Sequence, residues 1–128
     1  HEGSMTTIHA NTPRDAMSRL EQMIGMSGFR LGQQSTRSQI ASAIRIVIQL
    51  QRMSDGTRRV VAVNEITGME GDVIQMQPIF EYILHGTDSA GAVHGEFRAT
   101  GARPKFMDQI RLAGITIPSD TFDPSRAM

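Results

Sequence analysis

Ala16, Met17, Leu20, Met23 and Ile24 recur at three- and four-residue spacing, which predicts an amphipathic helix, and the residues at both ends agree. Thr12 supplies an N-cap, Pro13 a first-turn residue without an orphan N–H, Asp15 a capping carboxylate and Gly28 a C′ residue. A second helix is expected after the polar run Gly32-Gln33-Gln34, capped by Ser35 or Thr36, with Ile40, Ala41, Ala43 and Ile44 inward. The period then changes to two. Ile46, Ile48 and Leu50 alternate with Val47, Gln49 and Gln51, Ser54-Asp55-Gly56 signals a hairpin, and a strand follows over 58–66. Residues 68–72 read as a turn. Two further strands are predicted at 73–77 and 79–85, separated by Pro78, whose missing N–H pushes the run toward an edge position. A loop rich in Gly, Asp and Ser over 86–91 leads to a strand at 92–98. Pro104 opens a last helix with Phe106, Met107 and Ile110 inward, stopped at Gly114, and the tail from Ile117, with two prolines, is expected to run over the surface and fray.

Upstream of the first helix, Met5-Thr6-Thr7-Ile8 reads as a short strand. His9 then falls at the C-terminal end of that strand, directly before a helix start, where open α/β sheets place ligands and helix N–H groups attract anions. A histidine there can donate a hydrogen bond to a phosphate or an attacking water, or can simply satisfy loop carbonyls. Position alone leaves both readings open.

Composition narrows the field without choosing within it. A length of 128 residues fits one domain, and thirteen basic against thirteen acidic residues leave no global field to favour nucleic acid or an anionic membrane. Lys105 is the only lysine, so twelve of the thirteen basic residues are arginine. Planar guanidinium groups suit phosphate and carboxylate contacts, although a GC-rich genome gives the same bias. The absence of cysteine excludes disulfides and thiolate metal sites. His1-Glu2 lacks a second histidine at the fifth position and so is no helical zinc-protease motif, and His85 and His94 flank a loop without an acidic cluster, so no metal site is expected. Arg14, Arg19, Arg37, Arg58 and Arg59 are candidate anion contacts; Arg19 also stands four residues after Asp15, where an ion pair within the helix is expected. The nine methionines read as core filler.

The strings around the histidines resemble a known family. His1-Glu-Gly-Ser4 and Thr6-Thr7-Ile-His9-Ala-Asn11, followed by Pro13-Arg14-Asp15-Ala16 and Arg19-Leu20-Glu21, resemble the histidine box of the type II/type IV secretion ATPases, and most closely their Tad/Flp-pilus branch. In the same order come Arg37-Ser-Gln39-Ile-Ala-Ser-Ala-Ile44, Ile48-Gln-Leu-Gln-Arg52 with Asp55-Gly56-Thr-Arg58-Arg59, Glu65-Ile-Thr-Gly-Met-Glu70-Gly71-Asp72, and Thr100-Gly-Ala-Arg103-Pro104-Lys-Phe106. Essentially the whole chain takes part, and the ordered string is more specific than any one box.

The resemblance implies an α/β fold: the C-terminal part of a RecA-like P-loop ATPase domain, followed by a β-rich hairpin region and a C-terminal helix. Residues 1–66 would hold the histidine box and α/β core, and residues 67–128 the β-rich and helical portion. It implies His9 and His1 as catalytic residues, with Arg19 and Arg37 as candidates for nucleotide or inter-subunit contact. ATP and Mg2+ would be cofactors of the full-length protein, with none expected in these residues alone. The phosphate cradle needs a lysine after a glycine-rich turn, and Lys105 sits between Pro104 and Phe106, so Walker A, Walker B and the N-terminal domain would lie elsewhere in the polypeptide. Implied partners are five further copies in a homo-hexamer and the inner-membrane platform proteins of a pilus or secretion system, not nucleic acid, at a cytoplasmic, membrane-peripheral location. Two other functions fit the residues less fully: a non-catalytic oligomerisation or docking domain of the same fold, and a small metal- or phosphate-binding enzyme built on the histidines.

Overall fold

The computed structural model describes residues 3–28 and 32–126. Helix α1, Pro13–Met26, starts where its capping residues place it, and Gly28 takes a left-handed φ of 89° beyond its end. Helix α2, Gln33–Ala43, begins earlier than Ser35 or Thr36 would cap it. Gly32 is its N-cap and Thr36 is buried in the helix body, so the hydroxyl that reads as a cap is a packing residue instead.

Four strands follow, β1 Ile46–Arg52, β2 Arg58–Glu70, β3 Val73–Thr87 and β4 Val93–Ala99, paired in chain order as an antiparallel meander. The turn after β1 forms at Ser54-Asp55-Gly56, with Gly56 at φ 84°. β2 continues past residue 66 through Gly68, and the turn predicted over 68–72 contracts to Gly71 and Asp72. Pro78 does not split β3 or move it to an edge. The register shifts between Val63 and Asn64, so the proline stands opposite Asn64 at a bulge where a ladder N–H is already dispensable, and pairing with β4 begins only at Phe80. Its free carbonyl accepts from the Thr100 hydroxyl at 2.6 Å.

Two apolar clusters hold the layers together. Ala16 and Met17 of α1 and Ile40 of α2 pack on Ile66 and Ile74 across one face of the sheet. Ile79, Met107 of α3 (Met107–Leu112) and Phe122 form the second, with Phe80, Phe106 and Ile110 around them. Phe80 lies between Phe97 and Phe122, with ring centroids 5.6 and 5.8 Å away. The tail therefore does not fray over the surface: residues Ser119–Phe122 form a 3-10 turn that delivers Phe122, 6% exposed, into this cluster. The chain exposes 9023 Å2, against roughly 6,700 Å2 for a folded monomer of its 14.1 kDa on the usual size scaling.

Candidate functional site

Residues 4–10 carry no strand pairing, so the strand expected at 5–8 does not form and His9 does not sit at a strand end. Met5, Thr6 and Thr7 are exposed, and only Ile8 and Ala10 pack on the core around α1. Of the two apolar side chains in these four residues Met5 is fully exposed and only Ile8 packs, which gives a ladder no apolar row to bury, and the described strands are all antiparallel, without the parallel carboxyl edge that forms a ligand crevice. A side chain does the tethering instead. Gln49 of β1 donates from Nε2 to the Ala10 carbonyl at 2.9 Å. With Ile8 and Ala10 inward, His9 projects outward into solvent.

The helix start behind His9 is rigid for local reasons. The Thr12 hydroxyl accepts from the Asp15 N–H at 3.0 Å, and the Asp15 carboxylate accepts from the Asn11 N–H at 3.1 Å. Two backbone donors on either side of the cap are thereby satisfied. His9 is thus an exposed side chain whose C-terminal neighbours are fixed, Ala10 by the side-chain tether and Asn11 onward by the capping box. His1, the other histidine of the box, lies outside the described residues.

The two candidate arginines are separated. Arg19 Nε lies 3.5 Å from Asp15 Oδ2, one turn back on α1, with about half of its side chain exposed. Arg37 bridges three elements: its Nε meets Glu21 of α1 at 3.1 Å, and one terminal nitrogen donates to the Asp72 carbonyl at 3.0 Å in the β2–β3 turn. Arg14 donates to the Ile74 carbonyl at 2.7 Å beside it. Arg14, Glu21 and Arg37 line a shallow cleft of about 160 Å3 from which His9 and Arg19 are both absent. These contacts clamp the helices to the β2–β3 hairpin.

A second cleft, about 270 Å3, is lined by Arg45, Glu65, Thr67, Lys105 and Gln109. Glu65 is 3% exposed, and its oxygens accept from Gln77 Nε2 at 2.8 Å and from the backbone N–H groups of Lys105 and Phe106 at 2.9 and 3.1 Å. A buried carboxylate with three donors, two of them backbone N–H groups, serves as an anchor for the start of α3. Nothing in the sequence isolates this glutamate from its neighbours except its place in an apolar strand. At the other end of the sheet, Asp55 takes the Thr57 hydroxyl and N–H and the Val93 N–H, and these bonds hold its pKa down at about 2. The His94 ring and the Ala92 N–H likewise lower Asp88.

His85 and His94 go to different carboxylates, Glu96 at 3.6 Å and Asp88 at 2.7 Å. Among the described residues no three His, Asp or Glu side chains converge as a metal site would require. Nor do the described residues fit a nucleoside triphosphate with its metal: neither cleft offers a glycine-rich N–H cradle with a lysine, and the carboxylate of the larger one already accepts from three protein donors. No helix of the described residues is long and apolar enough to cross a membrane.

No protein-family model matches the chain. It is 29% identical over 99 residues to conjugal transfer proteins from two strains of Mycobacterium tuberculosis, an alignment covering 77% of this chain and 27% of the relative. It is 34% identical over 71 residues to the conjugal transfer protein TrbB of Rhizobium radiobacter, covering 56% of this chain and 20% of that protein. The chain thus spans about a quarter of the length of the relatives it matches.

Proposed function

We propose that this chain forms part of a hexameric motor ATPase of the type II/type IV secretion class, in the branch that assembles Tad/Flp pili. The observation that carries the reading is that an ordered string of motifs, from the histidine box at His9 to Pro104, resembles secretion ATPases while the same chain aligns over 99 residues with conjugal transfer proteins. Conjugal transfer is itself a form of type IV secretion, so both lines support one class; the pilus branch rests on the motif string alone. In this reading the helices and antiparallel strands complete a RecA-like domain. ATP and Mg2+ are held by other parts of a longer polypeptide. His9 is this chain's contribution to the nucleotide site, an exposed donor on a segment fixed by Gln49 and the Thr12–Asp15 cap. Donors preset where charge develops need no reorganisation during reaction, and such fixation is what the tether and cap provide. The motor would be cytoplasmic and peripheral at the inner membrane, docked on platform proteins, without nucleic acid as a partner.

The excess of exposed surface over a self-contained domain supports a life in an assembly. Sedimentation and ATP-turnover assays test the reading. A full-length polypeptide containing these residues is expected to form six-membered rings and hydrolyse ATP, and the 128-residue chain to show no turnover. Sustained hydrolysis by the chain alone, or a full-length protein with no nucleotide site, contradicts it, the latter in favour of a docking domain.

A further inference from the structure

The outer face of the β1–β2 hairpin is aliphatic along its length and cationic at its tip. Alternation along β1 places Ile46, Ile48, Leu50 and Arg52 on the side opposite Val47 and Gln49, which face the α1 layer and the Ala10 loop. Ile46, Ile48 and Leu50 are 42%, 55% and 61% exposed, and Val60, the cross-strand partner of Leu50, is 37% exposed. Arg52 stands directly opposite Arg58. Like charges in that position repel and weaken a hairpin unless an anion lies between them. Among the described residues neither guanidinium has a carboxylate within 4.0 Å. The nearest carboxylate in sequence, Asp55, is taken by Thr57 and Val93. α3 roofs the rest of this side of the sheet only as far as Glu65, the partner of Ile46, where it is pinned through Lys105 and Phe106.

We propose that this strip is a docking surface for a protein segment whose aliphatic side chains run into a carboxylate-bearing end. Charge complementarity selects this occupant. A second copy packed face to face in antiparallel fashion sets Arg52 and Arg58 against the Ile46 end, where Arg45 and Lys105 line the adjoining cleft, and parallel packing brings four arginines together. An anionic membrane is held by clusters of about four to eight basic residues with aromatic anchors at the interface. This strip offers two arginines, and the only tyrosine, Tyr82, is covered by Arg59 at 5.3 Å. A carboxylate-ended aliphatic segment buries the row and neutralises the pair together.

The test uses the chain with two synthetic amphipathic peptides that share one leucine-rich face, one ending in glutamates and the other in lysines. Fluorescence anisotropy is expected to show the glutamate-ended peptide binding at least ~10-fold tighter, a preference that shrinks with added salt. Arg52→Glu/Arg58→Glu should reverse the preference, and Leu50→Ser should weaken both peptides, each with a far-UV spectrum like the parent's. Equal binding of the two peptides, binding of neither, capture on phosphatidylserine vesicles without peptide preference, or a dimer dispersed by Leu50→Ser each overturns the proposal.

Discussion

Gln49 in β1 donates its side-chain amide to the carbonyl of Ala10 at 2.9 Å, so a single hydrogen bond fastens the His9 segment to the edge of the sheet. Replacing Gln49 with Leu keeps the volume and removes the donor, at a cost of roughly 0.5–1.5 kcal/mol felt locally. Hydrogen exchange should rise at the Asn11 N–H, the bonded donor next to the tether, and stay unchanged in β2 and β3. Unchanged protection around Ala10 would show that Ile8 packing alone holds the segment.

Glu65 is the second joint. Glu65→Ala strands the Lys105 and Phe106 N–H groups in a partly buried site, and should destabilise the fold by roughly 2–4 kcal/mol in urea melts. Glu65→Gln, which keeps acceptor oxygen but loses charge, should cost less. Equal and small losses in both variants would mean that α3 is held by its apolar contacts.

How far the sequence discloses this molecule depends on whether a signal is local. α1 is legible because Thr12, Pro13, Asp15 and Gly28 each act within a few residues, and the β1–β2 turn is legible because Gly56 supplies the positive φ it needs. Pro78 misleads because its cost is absorbed by a bulge at Ile79, next to it in β3, and that bulge exists only in the register against Val63 and Asn64 of β2. Phe122 is hidden in a tail with no period, and its burial is set by Phe80 and Met107 far away in sequence. The threonines at 6 and 7 favour a strand, yet pairing needs an inward-facing partner row that these four residues lack. Of the candidate site, the position of His9 before a capped helix is legible, whereas the tether from Gln49 and the clamp made by Arg37 are tertiary and leave no local mark.

Acid should loosen the hairpin end of the sheet. The Asp55 pKa is lowered from 3.8 to about 2 by the Thr57 hydroxyl first and then the Val93 N–H, so the folded state favours the ionised form. Stability from this group is complete above pH 4 and is lost as the pH falls through about 2. Asp55→Asn should flatten the decline of the melting temperature between those limits, leaving a residual slope from Asp88 and Asp123, which are lowered in the same sense. An unaltered slope would place the acid sensitivity elsewhere.

Gly95 lies beneath the Tyr82 ring, and a Cβ there would collide with the Ile83 carbonyl and come within 2.6 Å of the ring. Gly95→Ala should therefore displace Tyr82 from Arg59 and cost roughly 1–3 kcal/mol. Tyr82 is the only tyrosine and there is no tryptophan, so intrinsic fluorescence reports the displacement directly. A parent-like spectrum and melt would show that β4 shifts to make room.

The central claim is that His9 serves a nucleotide site in an intact ring, and steady-state ATP turnover of full-length His9→Ala protein tests it most directly. One preset donor to developing charge is worth roughly 2.7–4 kcal/mol in favourable cases. Turnover should fall by an order of magnitude or more while the ring sediments unchanged. Near-normal turnover in an intact ring would contradict the account and leave His9 an exposed loop residue.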